Sequence, residues 1–106
     1  MIKIQIIIDN SQILKVEVKG HADYADKGSD IVCAAVSAIV QTAGHEVEKM
    51  SKNSTCEKEG YYSIITEKID DENSRDAQII LKTMQNGLAE LQEQYPKNIK
   101  LEVKSL

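Results

Sequence analysis

The sequence of 106 residues contains no phenylalanine and no tryptophan, only one proline and only two cysteines, Cys33 and Cys56. Without the two bulkiest apolar side chains, a core has to be built from Ile, Val, Leu, Ala and Met. The cysteines do not form a CxxC pair, and the two histidines, His21 and His45, are not at zinc-finger spacing. These absences argue against a disulfide scaffold and against a structural zinc site.

Excess positive charge and long apolar runs are also missing. The formal net charge is -4, which argues against a direct nucleic-acid partner because such surfaces are usually basic. No apolar run approaches the length of a membrane span, and the first residues lack the basic-then-apolar form of a signal peptide. We therefore expect a single domain over residues 1–106, in the reducing cytoplasm and without membrane contact.

Two segments at the start of the chain alternate between apolar and polar residues, which is typical of half-buried strands. The expected inward positions are Ile2, Ile4, Ile6 and Ile8 in the first segment and Leu14, Val16 and Val18 in the second. The turn-forming residues 9–11 lie between them, so the pattern predicts a β-hairpin.

Two further segments have the character of helices. Residues 31–40 are small and apolar and lead into a polar stretch, which predicts one long helix that is buried on more than one side at its start and frays near residues 51–53. Later in the chain, apolar residues recur every three or four positions and predict an amphipathic helix of about five turns, capped by Asn73 or Ser74. Its apolar positions are Ala77, Ile80, Leu81, Met84, Leu88, Leu91 and Tyr95.

Strands are predicted over residues 54–59 and 61–69, around a turn near Gly60, and a last strand alternates through Ile99, Leu101 and Val103. The resulting order is ββαββαβ. It predicts an α+β fold, a two-layer sandwich in which a five-stranded sheet carries both helices on one face.

The junction between the second strand and the first helix holds a histidine, a polar loop, an acidic residue and a cysteine. Ser29 or Asp30 is a suitable N-cap, and with Asp30 in that role Cys33 is the third helical residue. There the helix dipole favours a thiolate, and unpaired backbone N–H groups can hold an oxyanion. Because a nine-residue loop can bring its two ends together, we expect His21 to reach Cys33 as general base and acid.

Structural roles compete with each of these interpretations. Cys33 is also a small apolar residue at a buried helix start, the usual role of an intracellular cysteine. By strict alternation His21 points away from the core, unless Gly20 bends the chain and re-aims it. Asp30 is a cap that could also orient the imidazole, and Ser37 either bonds back to the preceding turn or supports the site.

The loop over residues 22–30 is either a simple connection or a lid that moves to admit substrate. Tyr24 can cover the site or contact a peptide, and the sequence leaves this open. Cys56 lies among polar residues and is expected to be incidental. His45 is a poor alternative base, since a continuous helix places it about 18 Å from Cys33.

The segments Gly20-His21-Ala22 and Asp30-Ile31-Val32-Cys33-Ala34-Ala35-Val36-Ser37, with Gly28 between them, closely resemble the signature of the Prp family of bacterial ribosomal-processing cysteine proteases. The resemblance extends over the whole chain in length and element order, and no motif position departs from it.

The resemblance implies a small α+β homodimer that removes a short N-terminal extension from a large-subunit ribosomal protein, a step that permits ribosome assembly. Carried over by position, Cys33 is the nucleophile, His21 is the general base and acid, and Asp30 and Ser37 are supporting residues. The mobile cover over the site would be the loop that includes Ala22, Tyr24, Gly28 and Ser29. The family uses neither a metal nor an organic cofactor.

Three functional hypotheses follow from these residues and from the resemblance. The first is a thiol endopeptidase that acts on one ribosomal-protein precursor. The second is a non-catalytic, ribosome-associated binding module in which the motif serves as a fold nucleus. The third is a redox sensor thiol, which needs a resolving partner such as Cys56.

Overall fold

A computed structural model describes all residues, 1–106, and the elements follow the predicted order ββαββαβ. The strands are β1 (Ile2–Asp9), β2 (Gln12–Lys19), β3 (Thr55–Lys58), β4 (Tyr61–Ile65) and β5 (Ile99–Ser105), and the helices are α1 (Ile31–Met50) and α2 (Asp71–Gln94). Neither helix combines the length and the apolar character that a membrane-spanning segment requires.

The strands form one mixed sheet in the order β3-β4-β2-β1-β5, in which only the β1–β5 pair is parallel. Asn10 and Ser11 join β1 to β2 with positive φ angles of 50° and 65°, as in the tight turns that suit hairpins. Both helices cover one face, where a single cluster of 17 buried residues forms the core. The predicted α+β sandwich is confirmed.

A β-bulge in β2 changes which of its residues reach the core. Ile7 pairs with Lys15 and Ile8 pairs with Ile13, so Leu14 is the extra residue between the two pairs. The expected inward position of Leu14 is wrong, because the bulge puts Ile13 into the core at 1% exposure and leaves Leu14 half-buried.

Side chains from other elements satisfy the backbone at this bulge. The Oε1 of Gln78, in α2, accepts from the Ile13 N–H at 2.7 Å, and its Nε2 donates to the Ile13 carbonyl at 2.9 Å. The Thr66 hydroxyl donates to the same carbonyl. The predicted extension of the fourth strand to residue 69 is wrong, because β4 ends at Ile65 and the Ile69 N–H closes a turn onto the Thr66 carbonyl.

Helix α1 buries one face, not several. Its buried side chains recur about four residues apart, and they are Val32, Val36, Val40, Ala43 and Val47. Ile31 and the small residues Ala34, Ser37 and Ala38 are exposed, so the expectation of burial on more than one side is wrong. The helix runs through Gly44 without a break, and a Cβ at that position would collide with the buried ring of Tyr62.

Helix α2 begins earlier than its apolar periodicity indicates. Its N-cap is Asp70 and not Asn73 or Ser74, and the Asn73 N–H donates to the Asp70 carbonyl. Asp71 and Glu72 occupy the first turn, where carboxylates interact favourably with the helix dipole. Because this polar turn extends beyond the core, a pattern of apolar residues could not detect it.

Candidate active site

A sharp bend at Gly20 directs His21 toward the helix side of the molecule. Gly20 follows the last residue of β2 and has a φ of +88°, and a Cβ there would lie 2.8 Å from the Met1 carbonyl oxygen. Both observations require glycine. The imidazole of His21 lies over the β3–β4 turn, where its Nε2 is 3.4 Å from the position of a Cβ on Gly60.

Ala22, which follows His21, is fixed against the cysteine through both of its backbone groups. The Ala22 N–H donates to the Sγ of Cys33 at 3.2 Å, and the Ala22 carbonyl accepts from the Nδ2 of Asn98 at 2.9 Å. The Ala22 side chain is fully buried. Ala22 therefore belongs to the fixed frame of the site, unlike the exposed residues 23–29 with which the sequence grouped it.

Asp30 is the N-cap of α1, which makes Cys33 the third helical residue. Its Oδ1 accepts from the backbone N–H groups of Val32 at 3.0 Å and Cys33 at 2.9 Å. The cap thus occupies two of the N–H groups at the helix start, those of Val32 and Cys33, and they are not available to an oxyanion. The half-buried thiol of Cys33 still lies at the positive end of the helix dipole.

The second carboxylate oxygen of Asp30 holds the preceding loop. Its Oδ2 accepts from the backbone N–H groups of Tyr24 at 2.9 Å and Ala25 at 3.3 Å. Burial by itself raises the pKa of Asp30, but the four N–H donors outweigh it and hold the pKa below the ordinary value of 3.8. All four bonds go to backbone groups, so Asp30 caps the helix and anchors the loop and does not orient His21.

Two clefts with volumes of about 450 and 480 Å³ share His21, Cys33 and Ser37 in their walls. The fold thus brings the predicted imidazole, thiol and hydroxyl to one place. No hydrogen bond joins Sγ of Cys33 to the imidazole, and the Ser37 hydroxyl makes none within the chain, although the sequence suggested a bond to the preceding turn. Clefts of this volume suit a peptide side chain or a short peptide segment.

The loop over residues 23–29 forms the outer wall of one cleft. Lys27 reaches across to Glu59 in the β3–β4 turn at 3.3 Å, and Gly28 has a φ of +91°. The ring of Tyr24 does not line either cleft and packs edge-on against Tyr95 at 5.5 Å. The Ser29 N–H donates to the Asp26 carbonyl within the loop. Because the Lys27–Glu59 ion pair is fully solvated, it holds the loop only weakly.

Two residues that were expected to have no role lie outside the site, and two residues that shape the site were not predicted. His45 and Cys56 are exposed and line neither cleft, and Cys56 lies on the opposite face of the sheet from α1. Asn98 and Gly60 were not identified from the sequence. No local sequence pattern marks Asn98, because its role depends on the chain after α2 lying next to the Ala22 carbonyl.

A half-buried thiol in the first turn of a helix, beside an imidazole on the same cleft, is the pair that thiol hydrolases use. The chain is 31% identical over 109 residues to the ribosomal processing cysteine protease Prp of Staphylococcus aureus, covering 98% of this chain and all of that protein. It is 32% identical over 94 residues to the Prp of Bacillus subtilis, covering 84% of each chain.

A solved structure extends this similarity to the fold. The crystal structure of the Staphylococcus aureus Prp with a covalently linked product peptide superposes with a TM-score of 0.83, at 30% identity and over 98% of this chain and all of that one. The fold and site define a small α+β cysteine protease. A sequence model described as cysteine protease Prp matches residues 1–100, and the chain belongs to that family.

Proposed function

We propose that this protein is an endopeptidase with a His21–Cys33 dyad, and that it removes the N-terminal extension of a large-subunit ribosomal protein precursor before ribosome assembly. The observation that carries the proposal is the convergence of His21 and Cys33 on the same two clefts, with the Ala22 N–H 3.2 Å from Sγ. The choice of substrate is supported by the ribosomal processing role in the names of the relatives.

In the first half of the reaction, His21 accepts the proton of the Cys33 thiol, and Sγ attacks the carbonyl carbon of the scissile peptide. A C–S bond forms and the carbonyl oxygen becomes an oxyanion. The C–N bond then breaks, and the imidazolium returns its proton to the leaving amine. In the second half, His21 takes a proton from water, and the hydroxide attacks the thioester carbonyl. The C–S bond then breaks, the imidazolium gives its proton to Sγ to regenerate the thiol, and the acid product leaves and ionises in solvent.

The Ala22 N–H is the candidate donor to the oxyanion. It already points at Sγ, and the oxyanion forms on the carbon to which Sγ bonds, so a small shift transfers the donor to the new charge. Asn98 fixes the same residue through the Ala22 carbonyl, which belongs to the next peptide. The helix N–H groups of Val32 and Cys33 are held by Asp30 and are not available for this role.

Asp30 and Ser37 support the site in different ways. Asp30 holds the loop that walls one cleft and caps the helix that carries the nucleophile. Ser37 presents a free hydroxyl one helical turn after Cys33, in both cleft walls. A hydroxyl there can bind the backbone of an extended peptide that lies along the first turns of α1.

The test is cleavage of the purified precursor, followed by mass spectrometry of both fragments. Cys33→Ala should lower kcat by at least about a thousandfold, and His21→Ala by about a hundredfold or more. Cys56→Ser and His45→Ala are matched controls of the same residue types and should cleave normally. Cleavage by Cys33→Ala would exclude the nucleophile, and binding of the precursor without turnover by the unmodified protein would favour a binding module.

The proposed enzyme acts in the cytoplasm as a homodimer. Both cysteines are free thiols, as a reducing compartment keeps them. Exposed apolar residues, including Ile79 at 53% exposure, line a groove between α1 and α2 that suits a second copy. Light scattering should give twice the chain mass for the unmodified protein and the single mass for Ile79→Lys. A monomer from both would refute the dimer and leave the dyad test unaffected.

A further inference from the structure

The face of the sheet that the helices leave open is strongly basic, although the chain as a whole is acidic. The outward side chains of the five strands include six lysines, two glutamates and one aspartate, which gives this face a formal charge of +3 against -4 for the whole chain. These residues are Lys3, Lys15, Lys19, Lys58, Lys100, Lys104, Glu17, Glu102 and Asp9. The remainder of the molecule therefore carries -7.

One row of this face contains no acidic residue. Across the order β3-β4-β2-β1-β5, the register places Lys58, Tyr61, Lys19, Lys3 and Lys100 side by side. At a strand spacing of about 4.8 Å, this row extends about 19 Å across the sheet. Lys3 and Lys58 make no ion pair within the chain, so their charges are free to meet a ligand.

This arrangement does not serve the stability of the fold. Lys3 pairs directly with Lys19 on one side and with Lys100 on the other, and like charges in directly opposite positions destabilise a sheet. The glutamates of the next row reduce this repulsion only in part. Glu17 pairs with Lys15 and Lys19, and Glu102 pairs with Lys100, but Lys3 has no such partner. A row of three adjacent lysines is therefore explained better by an anionic partner than by folding.

We propose that the open face of the sheet binds the phosphate backbone of RNA. Compact ammonium groups on a flat surface suit sequence-independent contact with phosphates. Tyr61 lies within the lysine row and offers a ring on which a base can stack. The choice of RNA over DNA rests on the proposed function, which brings the enzyme to a component of the ribosome.

The alternatives fit this face less well. A membrane surface calls for apolar side chains that enter the lipid, and the aliphatic side chains in the third row of this face, Ile7 and Ile65, are half-buried. The lysine row also lies at the end of the sheet where β2 leads into His21. Bound RNA would therefore hold the enzyme with its active-site edge beside the RNA.

The expectation of no nucleic-acid partner came from the net charge of the whole chain, which does not report how charge is distributed between the faces of the molecule.

The test is fluorescence anisotropy with a labelled single-stranded RNA of about 20 nucleotides at several salt concentrations. We expect binding that weakens as salt rises, because bound phosphates release counterions. The triple variant Lys3→Gln, Lys19→Gln, Lys100→Gln should bind at least tenfold more weakly and reduce the salt slope by about two, at about 0.7 for each lost phosphate contact. The charge-matched control Lys52→Gln, Lys68→Gln, Lys82→Gln changes exposed lysines outside this face and should bind as the unmodified protein does.

Several outcomes would overturn the proposal. They are an absence of RNA binding at low salt, an equal loss in the control triple, equal competition by charge-matched polyglutamate, and binding to anionic vesicles in preference to RNA. Thermal unfolding checks that the face variant is folded, and the relief of like-charge repulsion should leave its Tm unchanged or higher. Cleavage of isolated precursor, with no RNA present, should be unchanged in the face variant, so a failure of RNA binding is separable from a failure of the protease assignment.

Discussion

The backbone N–H of Ala22 donates to the sulfur of Cys33 at 3.2 Å, and the two residues lie in different segments, Ala22 three residues beyond the end of β2 and Cys33 in the first turn of α1. Since Ala22 directly follows His21, the N–H of the peptide that joins the two residues contacts the proposed nucleophile. The position of Ala22 depends on Gly20 on one side and, through its own carbonyl in the next peptide, on Asn98 on the other.

Asn98→Ala should lower kcat about tenfold with little change in KM, because the backbone of Ala22 loses the donor that fixes its carbonyl group. Asn98→Asp keeps the side-chain shape but removes the Nδ2 donor, so it should be similarly impaired. Steady-state cleavage of the precursor measures both constants. Asn86→Ala, an exposed change on α2, is the control, and full activity in Asn98→Asp would show that this hydrogen bond does not matter.

Gly20→Ala should destabilise the fold by more than Gly28→Ala. Both positions have positive φ, which costs a residue with a Cβ about 1–2 kcal/mol. Only Gly20 adds a contact of 2.8 Å with the Met1 carbonyl, whereas a Cβ at Gly28 meets nothing within 4 Å. Urea unfolding measures the difference in free energy. Equal losses in the two variants would mean that the close approach at Gly20 is relieved at no cost.

Gly44→Ala and Gly87→Ala should change stability in opposite directions, although both exchange a helical glycine for a better helix former. At Gly87 the new Cβ lies 3.4 Å from the flexible end of Ile39, so helix propensity should stabilise by up to about 1 kcal/mol. At Gly44 it overlaps the buried ring of Tyr62, and overpacking should destabilise by about 1–3 kcal/mol. Thermal and urea unfolding of both variants measure the sign of each change in stability. A stabilised Gly44→Ala variant would contradict the close packing of Gly44 against Tyr62.

The stability contributed by Asp30 should disappear in acid. Its pKa is lowered in the folded state from the ordinary 3.8, so the contribution is fully present well above pH 3.8 and is lost as pH falls through the folded value. Asp30→Asn keeps one acceptor oxygen but cannot accept from the loop amides. The gap in free energy of unfolding between the unmodified protein and the Asp30→Asn variant should therefore be widest near neutral pH and shrink below about pH 4.

The matched control for this titration is Asp26→Asn, a change at an exposed loop carboxylate whose side chain accepts no hydrogen bond. Its effect on the free energy of unfolding should stay small across the same pH range. If the gap between the unmodified protein and Asp30→Asn were constant from neutral pH down into the acid range, the four backbone bonds would not be the source of the lowered pKa.

Local patterns predicted the elements and their order, because alternation in β1 and β5 and the three-to-four spacing in α2 report directly which side chains face the core. They failed where a contact with a distant element determines the local structure. The bulge at Leu14 depends on Gln78, which lies 65 residues from Ile13. The early start of α2 is a polar turn outside the core, which hydrophobic periodicity cannot detect.

The residues of the candidate site also divide into those that local sequence predicts and those that depend on distant contacts. The segment from Asp30 to Cys33 is local, and its helix cap and the position of the thiol could be predicted from residue types. The direction of the His21 side chain could not be predicted, because it depends on the bend at Gly20, where the backbone packs closely against the Met1 carbonyl. Asn98 could not be found at all, since it meets Ala22 across 76 residues of sequence.

The two oxygens of Asp30 act on different segments, one on the helix start and the other on the loop. Loss of the Oδ2 bonds would leave the Oδ1 bonds that cap the first turn of α1 in place. A movement of the loop would therefore not require the helix that carries the sulfur to refold.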